Sequence, residues 1–220
     1  GYIDDIRGWD FVSGDNNPID DHGHGSHCAG IASAIGNNSK GIIGVAPNAK
    51  ILPLKTLSAG GGGYLSDVVD AIYYAADNGA KVISLSLGID LSGLSQQDAN
   101  SITQLFNDAI NYALSKGCFS VVAAGNSNID ANLFAPANAT NAITVGAVNN
   151  LDQKASFSNW GTAVEVSAHG TEILSLRANG TNFYNIFCTS SSSGGMTGGT
   201  RMQNTLEQMV QVKQLHLFLA

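Results

Sequence analysis

Two glycine-flanked segments about a hundred residues apart, Gly23-His24-Gly25-Ser26-His27-Cys28-Ala29-Gly30 and Val121-Val122-Ala123-Ala124-Gly125-Asn126-Ser127, carry residue types that acyl transfer needs. An imidazole can take the proton of a hydroxyl nucleophile, and a side-chain amide can donate to the carbonyl oxygen as it becomes negative. His24 is therefore a candidate general base and Asn126 a candidate oxyanion donor. Taken singly, each has a plainer reading, a loop histidine and a turn asparagine, because Asn-Ser-Asn after Gly is good loop chemistry. His22, His24 and His27 also invite a zinc reading. It carries little weight, since structural zinc takes four ligands and no second Cys or His cluster occurs.

The surrounding elements read as a parallel sheet. Ile51 to Thr56 is a candidate buried strand; a helix starts near Ser66-Asp67, buries Val68, Val69, Ile72, Tyr73 and Ala76, and stops at Asn78-Gly79. Val82 to Leu87 is the next strand. Ile102, Leu105, Phe106, Ala109, Ile110, Ala113 and Leu114 form a helical stripe that ends at Lys116-Gly117, before the strand Cys118 to Ala124. Ala142 to Val148 is a further strand. Alternating strands and helices require crossovers that cover the sheet, which predicts a three-layer α/β fold, mostly parallel, with helices on both faces. Ser86-Leu87-Gly88 and Ala124-Gly125-Asn126 then fall at strand C-terminal ends, where open α/β sheets place their ligands.

The histidine and asparagine boxes resemble those of the subtilisin-like serine proteases, and the resemblance runs in register from Gly1 to about Tyr184. It implies an endopeptidase with His24 as base and Asn126 as oxyanion donor. His27 matches the family's second, non-catalytic histidine, and His22 reads as a solvated loop side chain. Gly60 to Gly63, with Gly61 and Gly62 at its centre, and Ser86, Leu87 and Gly88 resemble the walls of an extended-peptide cleft, with Ala124 and Gly125 near the specificity pocket. Such strand edges can pair with a substrate backbone; a flexible glycine turn is the alternative. The segment 36–44 resembles a structural calcium loop in which Asn38 supplies the side-chain oxygen, without the accompanying carboxylate. No organic cofactor is implied. Cys28 and Cys118 read as small core residues, and Asp10, Asp15, Asp20 and Asp21 as solvated loop acids, with a second, weak calcium loop as the alternative.

Two parts of the family pattern are absent. No aspartate precedes the histidine box in the family's strand context, Asp4, Asp5 and Asp10 included. The serine motif survives only as two echoes: Cys188-Thr189-Ser190, which makes Ser190 the candidate nucleophile, and Gly199-Thr200-Arg201-Met202. The expected organisation is a subtilisin-like catalytic domain over 1–187, incomplete at both ends, followed by a divergent, low-complexity and weakly helical tail over 188–220. Two functions remain open: an impaired serine endopeptidase, or a non-catalytic peptide-binding or assembly fragment.

Composition narrows the remainder. The chain has 220 residues, 26 glycines, 44% hydrophobic and 12% charged residues and a formal charge of −7, which suits one compact α/β domain. With no basic run it lacks what drives nucleic-acid binding. No apolar stretch approaches the roughly 20 residues of a membrane span, and no secretory leader opens the chain. The resemblance implies a secreted or extracytoplasmic protein acting on peptide or protein substrates. Oligomeric state is not legible.

Overall fold

A computed structural model describes residues 7–178 and, for the backbone, 216–219. The elements run β1 (Trp9–Asp10), α1 (His24–Ser33), β2 (Lys50–Lys55), α2 (Leu65–Asp77), β3 (Val82–Leu85), β4 (Ile89–Asp90), α3 (Gln96–Ser115), β5 (Phe119–Ala123), β6 (Phe134–Ala135), β7 (Ala142–Val148), β8 (Val166–His169) and β9 (His216–Leu219). Seven strands form one sheet in the order β1-β2-β9-β3-β5-β7-β8. Every pair in it is parallel. Strands β4 and β6 form a separate antiparallel pair.

Successive side chains on a strand face opposite ways, and this alternation builds the three layers. Ile83, Leu85 and Val122 pack with Ala71, Ile72, Phe106, Ala109 and Ile110 of α2 and α3. Their neighbours Val82 and Val121, with Val145, pack with Cys28 and Ala32 of α1. One face of the sheet thus carries α2 and α3, and the other carries α1. The three-layer α/β architecture read from the sequence is the one observed.

Local chemistry sets the helix ends. The first helical residue of α2 is Leu65, one before the expected Ser66, and Asn78 and Gly79 follow its last turn. Helix α3 begins at Gln96, well ahead of its apolar stripe, because Ser95 caps it: Oγ accepts from the Asp98 N–H (3.2 Å) and donates to the Asp98 carboxylate (2.7 Å), a reciprocal cap. Of the expected stripe, Leu105 is exposed, since the helix rests on the sheet through Phe106, Ala109, Ile110 and Ala113.

Strand β9 lies between β2 and β3, with Phe218 in register with Leu52 on one side and Ile83 on the other. The expected division between 1–187 and 188–220, and the ragged apolar stripe near Met202, fall outside the described residues. Among those described, no helix is long and apolar enough to cross a membrane.

Candidate active site

His24 is the first residue of α1, and Gly23 ahead of it adopts φ 107°. That left-handed conformation costs a residue with a Cβ, so the glycine is required by the turn. Helix α1 has no cap from its own N-cap side chain. Asp20 supplies one: Oδ1 accepts from the N–H groups of His22 (3.0 Å) and Gly23 (2.6 Å), and Oδ2 accepts from the Ser26 N–H (2.7 Å). Burial alone would raise the Asp20 pKa, but the N–H donors of Gly23, Ser26 and His22 outweigh it and hold the carboxyl below its ordinary value. A carboxylate here also faces the positive end of the helix dipole.

The imidazole of His24 is buried at 4% exposure, with Nε2 3.7 Å from Cys28 Sγ. Burial pushes the Cys28 thiol up to about 12, against a smaller opposing effect of Ser86; a thiol kept protonated is a packing residue, not a nucleophile. His22, expected as a solvated side chain, is half-buried and stands edge-on to His24, ring centroids 6.4 Å apart. His27 is fully enclosed; burial, with a smaller contribution from His24, pulls its pKa down to about 4.

All parallel strands share one C-terminal edge, and the candidate residues collect along it. A cavity of about 220 Å³ is lined by His22 and His24 from the α1 turn, by Leu54 to Ser58 from the end of β2, and by Gly61. The glycine run closes as a turn: the Gly61 N–H donates to the Ser58 carbonyl (2.8 Å) and the Ser58 N–H to the Gly62 carbonyl (2.9 Å). Ser86 and Leu87, just past β3, are both buried, and a Cβ at Gly88 would overlap the Phe134 ring.

Asn126 is the third residue after β5, behind Gly125 with φ 106°. Its amide oxygen is buried and has no hydrogen-bond partner among the described residues, and the NH2 group points the other way from Cγ. The turn is stitched to residues 154–160. Asn159 Oδ1 accepts from the Ser127 (2.9 Å) and Ile129 (3.1 Å) N–H groups. Asn159 Nδ2 donates to the Ala124 carbonyl (2.8 Å), and its backbone N–H donates to the Gly125 carbonyl (3.0 Å).

The loop acids are less solvated than their spacing suggests. Asp10 is 3% exposed, paired with Lys55 (3.0 Å), which also reaches Asp21 (3.1 Å). Asp10 also accepts the N–H groups of Val12 and Ser13. Burial would raise the Asp10 pKa, but Lys55 and these donors bring it below the ordinary value. Of the four, only Asp15 and Asp21 are exposed. Parallel register places Asp10 opposite Lys55, which spacing in sequence could not reveal. The Asp20 clamp had a local signal, an acid just ahead of a glycine-bounded helix start; Asn159 had none.

Residues 36–44 form the segment that resembles a calcium loop. Asn38 is exposed, its side-chain oxygen accepts from the Lys40 N–H (3.0 Å), and the segment has no carboxylate. Among the described residues, no group of three or more His, Cys, Asp or Glu is placed to hold a metal. Ser190, Cys188, Tyr184, Asp4 and Asp5, and the segment Gly199 to Met202, lie outside the described residues.

Residues 1–209 match the model of the subtilase family. The chain is 49% identical over 170 residues to a thermophilic serine proteinase of Bacillus sp. (strain AK1), a match that covers 77% of this chain and 40% of that protein. It is 47% identical over 172 residues to thermitase of Thermoactinomyces vulgaris, covering 77% and 57%. Among solved structures, a cold-adapted subtilisin-like serine proteinase superposes with a TM-score of 0.70 at 32% identity, over 90% of this chain and 63% of the other. The chain thus spans about half the length of the curated relatives it matches. With the parallel sheet, the histidine turn and the asparagine turn in this arrangement, the chain belongs to the subtilase family of serine proteases.

Proposed function

We propose that this chain is a subtilisin-like endopeptidase domain, residues 1–187 with a divergent segment 188–220, that cleaves peptide bonds by acyl transfer. His24 is the general base, Asn126 donates to the oxyanion, and Ser190 is the candidate nucleophile. The observation that carries this reading is a buried histidine at the start of a helix, opening into a cavity at the C-terminal edge of a parallel sheet. Substrate enters as an extended peptide between Gly61-Gly62 and Ser86-Leu87-Gly88, with Ala124 and Gly125 beside the specificity pocket. By the same family resemblance it acts outside the cytoplasm.

In a serine-protease triad the acid holds the imidazole in the tautomer and orientation that accept the hydroxyl proton, and without it the ring is a poor base. One observation favours the alternative, a fragment that binds peptides without cleaving them: the two shielded carboxylates on the described part of the histidine side are already engaged, Asp10 by Lys55 and Asp20 by the turn. Fluorophosphonate labelling separates the two. Added mass on Ser190, absent in His24→Ala, supports the endopeptidase; an unlabelled chain that still binds an extended peptide supports the alternative. In a hydrolysis assay His24→Ala is expected to lose at least ~10²-fold in rate, and retained activity would overturn the assignment of the base.

A further inference from the structure

We infer that Asn159 is a positioning residue for the oxyanion donor: its side chain holds the turn that aims Asn126, an inference that rests on the reading of Asn126 given above. The amide oxygen of Asn126 is buried and unpartnered among the described residues, so no hydrogen bond there fixes where the NH2 group points. The Cα–Cβ bond sets where this side chain starts, so the backbone of residues 124–129 sets the region that the NH2 group can reach.

One residue captures that backbone. The carbonyls of Ala124 and Gly125 accept from Asn159, and the N–H groups of Ser127 and Ile129 donate to it. The residues on both sides of Asn126 are therefore tied to a single side chain and its own backbone. Asn159 is itself 1% exposed, so water has little access to compete for its side-chain groups. Its neighbours are held too: Ser158 Oγ accepts from the Ala147 N–H (2.9 Å) and donates to the Asn159 carbonyl (2.9 Å). Lys154 Nζ ties Asn128 Oδ1 (2.8 Å) to the Ser158 carbonyl (3.1 Å).

The chemistry requires an amide. The site presents two N–H donors and one carbonyl acceptor to the same side chain, and only a group with both an acceptor oxygen and an NH2 satisfies all three. Aspartate keeps the acceptor and loses the donor; serine is too short to reach both sides. Gly125 belongs to the same device, since a Cβ there would fall on Asn159 Nδ2. Close approach of the amide to the backbone is possible because that position has no side chain.

The test is a mutant cycle joined to backbone amide exchange. In Asn159→Ala the Ser127 and Ile129 amides should exchange at least about tenfold faster, while those of Val121, Val122 and Val145 keep their protection. For peptide hydrolysis, kcat should fall about tenfold with little change in KM, and the same substitution in an Asn126→Ala background should cost less than about twofold, because the two residues act as a unit. Unchanged exchange at Ser127 and Ile129, loss of protection throughout β5 and β7, or an equal loss of kcat in both backgrounds would each overturn the inference. Should Asn159→Ala fail to fold, Asn159→Ser takes its place under the same criteria. If the parent shows no His24-dependent hydrolysis, the endopeptidase reading falls, and amide exchange alone decides whether Asn159 holds the turn.

Discussion

The turn before His24 and the turn before Asn126 solve the same backbone problem with different chemistry. Each places a glycine just ahead of the functional residue, Gly23 at φ 107° and Gly125 at φ 106°, and each has backbone N–H groups that would otherwise go unpaired. At His24 the acceptor is a carboxylate two to six residues from its donors. At Asn126 it is a neutral amide 30 to 35 residues from the groups it binds. The first clamp forms from local chain and carries charge beside an imidazole. The second requires the strands on either side to be in place, and its own side chain does not titrate.

The contrast is greatest at the glycines. Gly23→Ala and Gly125→Ala each force a side chain into a left-handed backbone, about 1–3 kcal/mol. At Gly125 the new methyl also meets Asn159 and the Phe134 ring. Gly125→Ala should therefore lower the stability read from urea midpoints by more than this backbone strain alone, and a loss no larger than that strain would mean that the long-range clamp yields freely.

Removing the charge tests the local clamp. Asp20→Asn keeps one acceptor and loses the carboxylate, which should cost about 1–3 kcal/mol. The sign with pH is definite. The Asp20 pKa in the folded chain lies below its ordinary value of 3.8, so its contribution is complete above that value and is lost as pH falls through the folded pKa. The parent should lose stability below about pH 4 faster than Asp20→Asn; parallel acid limbs would count against the clamp.

His27 adds a second titration on the histidine side, at higher pH. Its folded pKa is pulled to about 4 from 6.5, so the unfolded chain binds the proton first. Stability should fall as pH drops from 6.5 toward 4, by up to ~1.4 kcal/mol per unit, and level off with respect to this group below that. His27→Gln should flatten this limb and leave the one below pH 4 in place. Urea midpoints from pH 7 to 3.5 measure both. Calcium should have the smallest effect, since Asn38 is engaged by Lys40: a melting temperature raised by no more than about 1–2 °C at millimolar calcium. A shift saturating at micromolar calcium would reveal a carboxylate site that the Asp10 and Asp20 hydrogen bonds do not show.

Side-chain periodicity and local capping make much of the fold legible in the sequence. The alternation that sends Val121 and Val122 to opposite layers, the stop at Asn78-Gly79, and the glycine before each functional residue are all set by neighbours along the chain, because a turn or a helix end is closed by hydrogen bonds spanning a few residues. Leu105 is exposed although it lies on the apolar stripe, since such a stripe is wider than the face a helix buries. Contacts between distant segments have no such local signature. Lys55 reaches Asp10 because β1 and β2 pair in that register, β9 comes between β2 and β3, and Asn159 meets Gly125 because the segment after β7 returns to the end of β5. Such contacts depend on strand order and register, and many strand orders satisfy the same alternating pattern. The elements and the residues able to do chemistry are thus written locally in the chain, whereas the packed sheet selects which side chains hold them in place.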